Sequence, residues 1–401
     1  MGENPKNNYS GLKVLIMGLG LHGGGLESAR YLARKGAELT VTDLRDEKTL
    51  APSLEKLQGI GGPPIRYVLG GHDIRDFEGA DMVVKNPGVR PDSPFLRAAK
   101  WIETDISLFL AGCPARLIAV TGSKGKSTTA SALYRVLTEA RKGGFLSGRA
   151  WLGGNITRSP LVFLEDLEPG DDVVLELSSW QLGDLGGKIR PGGEALLKPR
   201  AAVVTAIMAD HQDRYGNMEA YVADKRIIAA GQGKEDVLVI PDDPWGRGFI
   251  REGRPLVYAE APLPAGTAGG WLTGKDGPGL ARLNRDAPPL ELVPPGLLLP
   301  GYHQKKNLLA AALALGDLGL PPALIREALG SFPGVEHRLE FFHEAGGIRF
   351  YNDTAATIPE AAEAAVAAFD VPPVLIAGGA DKALDFAPLV RAAGRVKALV
   401  L

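Results

Sequence analysis

One cysteine, Cys113, stands in a chain of 401 residues. An internal disulfide is therefore excluded, as is any cluster of thiolates for zinc or iron and sulfur, and a reducing compartment suits the chain. The expected role of that thiol is a small buried apolar side chain rather than a nucleophile. Charge of one sign is also lacking: 45 basic against 47 acidic side chains leave a net charge of -2. No broad basic surface for nucleic acid follows from that balance, so any anion must be held locally. Apolar runs of bilayer length are missing, and the opening MGENPKNNYSGLK has no apolar signal core. Neither secretion nor membrane insertion is expected, and a cytoplasmic location is.

What is present is the balance of a globular protein, 45% hydrophobic and 23% charged. The length exceeds one ordinary core and predicts two or three domains, with clefts between them for ligands. Apolar runs at 14–17, 39–42 and 82–84, with a helix-period stretch at 26–33, predict βαβ units and a parallel sheet. A second such series runs through 117–120, 173–175, 202–206 and 237–240. Residues 262–300 are rich in glycine and proline, with apolar pieces at 271–272 and 297–299, and predict hairpins and loops. A helix pair is predicted at 307–318 and 322–329. A third unit then alternates strand and helix from 348 to a last strand at 396–401, so its closing elements are expected to lie beyond this sequence.

The segment Ala119-Val-Thr-Gly-Ser-Lys-Gly-Lys-Ser-Thr128 follows an apolar run and opens a helix, the setting of a phosphate loop. Gly122 and Gly125 let backbone N–H groups turn toward a polyphosphate, and the helix N-terminus adds partial positive charge. Lys126 can reach the β- and γ-phosphates, and Ser127 is placed to ligate Mg²⁺. Val120 replaces the first glycine of the full pattern. Downstream, Glu176 ends an apolar run, at the strand end where α/β sheets carry ligand groups. Asp210 and His211 follow the next run, and Lys225 lies on a helix predicted at 218–229. Taken singly, His211 reads as a structural histidine and Lys225 as a solvated lysine. Their place behind a phosphate loop is what makes them ligand candidates for a second cation.

These residues together carry a resemblance. TGSKGKST at 121–128, GGN at 153–155, ELSSWQL at 176–182, DHQDRY at 210–215 and Lys225 are similar to the Mur ligase superfamily, most of all its MurD type, over nearly the whole chain. The resemblance implies an ATP-dependent carboxylate–amine ligase, ADP-forming, that adds D-glutamate to UDP-N-acetylmuramoyl-L-alanine for peptidoglycan. It implies an α/β fold of three domains: a Rossmann-like UDP-binding unit at 1–104, an ATP-binding unit at 105–334 and an incomplete Rossmann-like unit at 335–401. Residues Thr121, Gly122, Ser123, Lys124, Gly125, Lys126, Ser127 and Thr128, with Asn307, Arg338 and Asp353, would hold ATP. Two Mg²⁺ ions are implied, one on Ser127 and Glu176, another on His211 and on Lys225 as a carbamate. Lys126, His211, Lys225 and Glu176 would be catalytic, Asn155 and His211 would touch the UDP-sugar, and Lys382 and Thr357 the amino acid. A monomer working on small molecules is expected. L-glutamate, another Mur ligase or a folylpolyglutamate synthase are alternatives in the superfamily, and a non-catalytic nucleotide binder is a third class.

Gly18-Leu-Gly-Leu-His-Gly23 follows an apolar run, and Asp43 ends the next one. That is the dinucleotide fingerprint, but its physics requires only a pyrophosphate, which UDP and NAD both carry. An NAD-dependent dehydrogenase is thus the rival from another class. By the resemblance Gly20, Leu21, Asp43, Asn86 and Gly88 would form the UDP site, while Gly24 and Gly25 read as serving only the tight strand-helix turn.

Overall fold

The computed structural model describes residues 9–21, 23–156, 158–356, 359–379 and 385–401. The chain forms two compact units. The first comprises Met1–Ser123, Ser147–Leu238 and Pro244–Arg254, the second Lys124–Leu146, Val239–Asp243 and Pro255–Leu401.

In the first unit, β1 (Lys13–Met17), β2 (Glu38–Asp43), β3 (Arg66–Leu69), β4 (Met82–Lys85) and β5 (Ile102–Glu103) build a sheet of order β3-β2-β1-β4-β5. Every pairing is parallel, with Met17 beside both Thr42 and Lys85. The strand order reverses at β1, so a crevice opens between the carboxyl ends of β1 and β4. Two loops meet there, residues 18–21 after β1 and 86–89 after β4. The helix Gly24–Arg34 buries Leu26, Ala29 and Leu32. Its N-terminal turn is close to the strand end because Gly25 has no side chain: a Cβ there would fall 2.1 Å from the Gly18 carbonyl oxygen.

The same unit holds β6 (Arg116–Thr121), β7 (Ala150–Gly154), β8 (Asp172–Glu176) and β9 (Ala201–Val204), parallel in the order β9-β6-β8-β7. β8 and β9 are buried throughout, as a parallel strand covered on both faces must be, which is why residues 173–175 of β8 and the whole of β9 read as apolar runs. The register sets Glu176 level with Val120 on one side and Gly154 on the other. The helix Met218–Arg226 passes into a short 3-10 turn at Ile227–Ala229, close to the predicted span.

β10 (Val237–Pro241) runs across the division in the chain. In the second unit, which takes β11 (Arg254–Ala259) from Pro255 on, that strand pairs with β12 (Gly269–Leu272) in parallel, and β13 (Gly279–Arg282) and β14 (Leu290–Val293) extend it antiparallel. Residues 271–272 thus lie in a strand and 297–299 outside one, within the stretch expected to hold hairpins and loops. The helix Lys126–Lys142 packs against Tyr302–Asp317 and Pro322–Gly330. Further on, β15 (Glu340–Ala345) and β16 (Ile348–Asn352) form a hairpin, and β17 (Val374–Ile376) pairs in parallel with β18 (Ala398–Val400). The helices Pro359–Ala367 and Ala387–Ala393 are tied by Arg391 on Glu363 at 2.8 Å. Among the described residues no helix is long and apolar enough to cross a membrane.

Candidate active site

The turn after β6 is fixed by its neighbours. Thr121 donates its hydroxyl to the Leu177 carbonyl at 2.8 Å, and its own carbonyl accepts the Thr205 N–H at 2.8 Å. Gly122 has φ 147°, and a Cβ there would stand 1.9 Å from Thr205 Oγ1. Only glycine fits, on conformation and on space. Ser123 is engaged within the protein: its N–H donates to the Ala206 carbonyl at 2.8 Å, and its hydroxyl meets the Met208 N–H at 2.9 Å and the Tyr221 hydroxyl at 2.9 Å. Its role in the structure is to anchor the turn.

In the second unit the loop continues through Gly125, the N-cap of the helix Lys126–Lys142, with φ 89° and no side-chain cap. Lys126, Ser127 and Thr128 open that helix, whose first N–H groups and dipole point to its N-terminus. Asn307 lies against this loop: a Cβ on Gly125 would be 2.2 Å from Asn307 Oδ1. Its amide is oriented by a bond to Gln304 Oε1 at 3.0 Å, so two of the sequence candidates, Gly125 and Asn307, are brought together.

Glu176 closes β8 with 1% of its surface exposed. Asn155 Nδ2 donates to its Oε1 at 2.9 Å, and the Asn155 N–H to its carbonyl at 2.8 Å. Oε2 is buried with no hydrogen-bond partner among the described residues. An orphaned carboxylate oxygen is costly unless something outside the protein binds it, and a hard divalent cation is the ligand such an oxygen takes best. Glu176 therefore fits one Mg²⁺. The second site stands differently. Lys225 is buried, donates Nζ to the Gly122 carbonyl at 2.9 Å and lies 4.4 Å from the Tyr221 ring centroid. As an ammonium it is a donor and not a ligand, and among the described residues no three His, Cys, Asp or Glu gather as a metal cluster.

His211 has φ 51°, a left-handed conformation rare outside glycine. That turn sets its ring 4.9 Å from Trp180 and 6.4 Å from Tyr221, with Nε2 3.9 Å from Asp210 Oδ2. Arg214 covers the other aromatic partner, its guanidinium 4.2 Å from the Trp180 ring. Of this group sequence reasoning singled out Asp210 and His211 and missed Trp180, Tyr221 and Arg214, although Trp180 sits within the quoted ELSSWQL and Arg214 within DHQDRY.

At the crevice of the first sheet, Gly18 and Gly20 have φ 88° and 65°. The Gly20 N–H donates to Asp43 Oδ2 at 3.0 Å, the Arg45 N–H to Asp43 Oδ1 at 2.9 Å, and the Ser53 hydroxyl to the Gly20 carbonyl at 2.7 Å. Asp43 thus shapes the glycine loop as well as standing at its edge. Leu21 is half-buried in that loop. Across the crevice, Asn86 Oδ1 accepts the Gly88 N–H at 3.0 Å. Lys85, also missed, is buried beside it.

In the second unit, Arg338 stands between His337 and Leu339, whose φ values are 63° and 45°. Asp353 Oδ1 accepts the Leu339 N–H at 2.9 Å. Burial pushes the Asp353 carboxyl up, against the opposing pull of that N–H and of the Arg338 charge. Thr357 and Lys382 lie outside the described residues.

Residues 12–107 match the Mur ligase MurD-like N-terminal domain, and residues 120–258 the Mur ligase middle domain. The UDP-N-acetylmuramoylalanine–D-glutamate ligase of Treponema pallidum (strain Nichols) is 42% identical over 466 residues, spanning 100% of this chain and 86% of that one. The enzyme of the same name from Roseiflexus sp. (strain RS-1) is 43% identical over 98% of this chain and 83% of its own. Among solved structures, the UDP-N-acetylmuramate–alanine ligase MurC of Thermotoga maritima aligns with a TM-score of 0.55 at 20% identity, over 97% of this chain and 84% of that one. MurF of Acinetobacter baumannii gives 0.54 at 15%, over 96% and 84%. At those identities the two structures speak for the fold alone.

Proposed function

The chain belongs to the Mur ligases of the MurD type, and from that premise we infer that it is an ATP-dependent ligase joining D-glutamate to UDP-N-acetylmuramoyl-L-alanine in peptidoglycan synthesis. The observation that carries the chemistry is the buried, half-satisfied carboxylate of Glu176 at the end of β8. A free carboxylate is a poor electrophile, so it must be activated before an amine can attack it. One oxygen of the alanyl carboxylate attacks the γ-phosphorus of ATP, and the bond to ADP breaks. The amine of D-glutamate then adds to the carbonyl carbon of the acyl phosphate, inorganic phosphate leaves with the C–O bond pair, and the amine loses a proton.

Within this reading, Lys126 and the helix N-terminus offset negative charge on the transferring phosphoryl. Ser127 and Glu176 would hold Mg²⁺, which when bound neutralises phosphate oxygens. Thr121, Gly122, Lys124, Gly125 and Thr128 line the phosphates with backbone, Asn307, Arg338 and Asp353 serve the nucleotide, and Ser123 supports the loop. A second Mg²⁺ would take His211 and Lys225, the latter only after carbamylation turns its ammonium into an oxygen donor. Gly20, Leu21, Asp43, Asn86 and Gly88 receive UDP. Asn155 both orients Glu176 and faces the sugar, and Thr357 and Lys382 receive glutamate. A cytoplasmic monomer of three domains belongs to the same reading.

The test is ADP release with UDP-N-acetylmuramoyl-L-alanine, with D- or L-glutamate, and with Lys126→Ala beside the parent chain. Release that needs the D-enantiomer and falls at least about a hundredfold in the variant is expected. No glutamate-dependent release from the parent chain sinks the reading.

A further inference from the structure

Beside the crevice of the first sheet lies a buried ion pair that the chemistry above does not use. Lys85 ends β4, and Asp184 lies in the helix Ser179–Leu185, just beyond Glu176 in the chain. Lys85 Nζ and Asp184 Oδ2 meet at 2.6 Å, with 3% and 8% of their side chains exposed. Burial pushes the Lys85 ammonium down and the Asp184 carboxyl up, and for each the other is the largest opposing influence. Such a pair is a weak source of stability, because desolvation offsets the attraction and an apolar pair of similar volume often serves as well.

What an apolar pair could not supply is the hydrogen bond of the ammonium. Beside its ion pair, Lys85 Nζ donates to the Val89 carbonyl at 3.2 Å, closing the turn that begins at Asn86. The near end of that turn is held by the Asn86 N–H on the Met17 carbonyl at 2.9 Å. Between the two anchors, Asn86 lies against the glycine loop: a Cβ on Gly18 would stand 3.0 Å from Asn86 Cβ, and one on Gly20 3.6 Å from its Nδ2. A lysine with one partner is free to swing. Asp184 gives this one a fixed bearing, and the turn inherits it.

We propose that Lys85 and Asp184 are a positioning pair for the UDP site, holding the Asn86–Val89 turn against the glycine loop from a helix that follows the Glu176 strand. The proposal rests on the assignment of those two loops to UDP. It places a determinant of precursor affinity in residues that touch neither substrate nor metal.

The experiment compares the parent chain with Lys85→Met/Asp184→Leu, a pair of similar volume that removes both charges of the pair together. Melting temperature is read first, then binding of UDP alone and of ATP with Mg²⁺ by calorimetric titration, and KM for each substrate. The expected result is a retained cooperative fold, UDP affinity weakened at least about tenfold, a parallel rise in KM for the UDP precursor, and ATP affinity within about twofold of the parent. Equal UDP affinity in the two proteins overturns the proposal, and so does equal loss of UDP and ATP binding. Loss of the fold in the apolar variant overturns it too, since the pair would then be structural. Lys85→Met alone strands Asp184 and is expected to melt lower than the double variant; the reverse order counts against the pairing. A parent chain that binds UDP but releases no ADP with D-glutamate sinks the ligase reading and leaves this one standing.

Discussion

Asn155 holds one oxygen of Glu176 at 2.9 Å and leaves the other buried without a protein partner among the described residues. The register of β7 against β8 makes this contact, because Gly154 lies level with Glu176 and Asn155 follows it. Asn155 thus acts on the carboxylate directly, and its amide fixes which oxygen is left for a cation. Replacing Asn155 by Asp sets two carboxylates side by side, where like charge resists ionisation of both. Asn155→Asp is expected to lower Mg²⁺ affinity by about 10–100-fold, in the range found when groups orienting a metal ligand are changed. Magnesium titration of nucleotide binding, followed by calorimetry, reads this apart from turnover; unchanged affinity would show that Asn155 serves the sugar alone.

Gly122 presents a case where space and conformation agree. With φ at 147° and Thr205 Oγ1 only 1.9 Å from the site of a Cβ, Gly122→Ala must shift the end of β6 or the segment after β9. Strain at such a position costs on the order of 1–3 kcal/mol before any collision is counted. Removing the hydroxyl with Thr205→Ala relieves the closest part of the collision and not the strain, so the double variant should recover part of the stability. Urea unfolding of the three variants measures the coupling, and strict additivity would mean that the collision is not the cause.

The parts of this site that were legible in the sequence are those in which one short segment carries its own chemistry. The phosphate loop, the glycine loop, the apolar stretch 173–175 of β8 and the apolar β9 announce themselves because backbone turns and fully buried strands restrict residue type locally. Pairings across long sequence separation do not. Nothing near Lys85 announces Asp184, and nothing near His211 announces the Trp180 ring that it meets at 4.9 Å. Ser123 shows the converse: the loop pattern suggests phosphate contact, yet the Ala206 carbonyl and Met208 take its amide and hydroxyl.

Lys225 distinguishes two chemistries at one position. As an ammonium it donates to the Gly122 carbonyl at 2.9 Å; as a carbamate it would present oxygen to a cation. Lys225→Ala should lose most turnover under either account. Only the carbamate account predicts that a small carboxylic acid added to Lys225→Ala restores part of the activity, because the missing group is an oxygen ligand. Restoration by a small alkylamine and none by the acid would assign the role to the ammonium and its hold on the phosphate loop.

Asp105 gives a pH dependence whose sign is fixed by burial. It begins the helix Asp105–Gly112 and is 4% exposed, with Oδ1 lacking a hydrogen-bond partner among the described residues. Burial pushes its carboxyl up from the ordinary 3.8, the Ser159 side chain and then the N–H groups of the helix start oppose it, and the nearby Asp184 charge adds to the rise. A folded-state value above the unfolded one means that folding takes up a proton, so this group's contribution is fully present below the unfolded value and is lost as pH rises through the folded one. Asp105→Asn keeps the shape and removes the titration. The variant is expected to be more stable than the parent near neutral pH, with the advantage shrinking as pH falls toward the ordinary carboxylate range. Urea unfolding at neutral and acidic pH reads the difference, and an advantage that grows on acidification would show that the carboxylate is favoured in the folded chain.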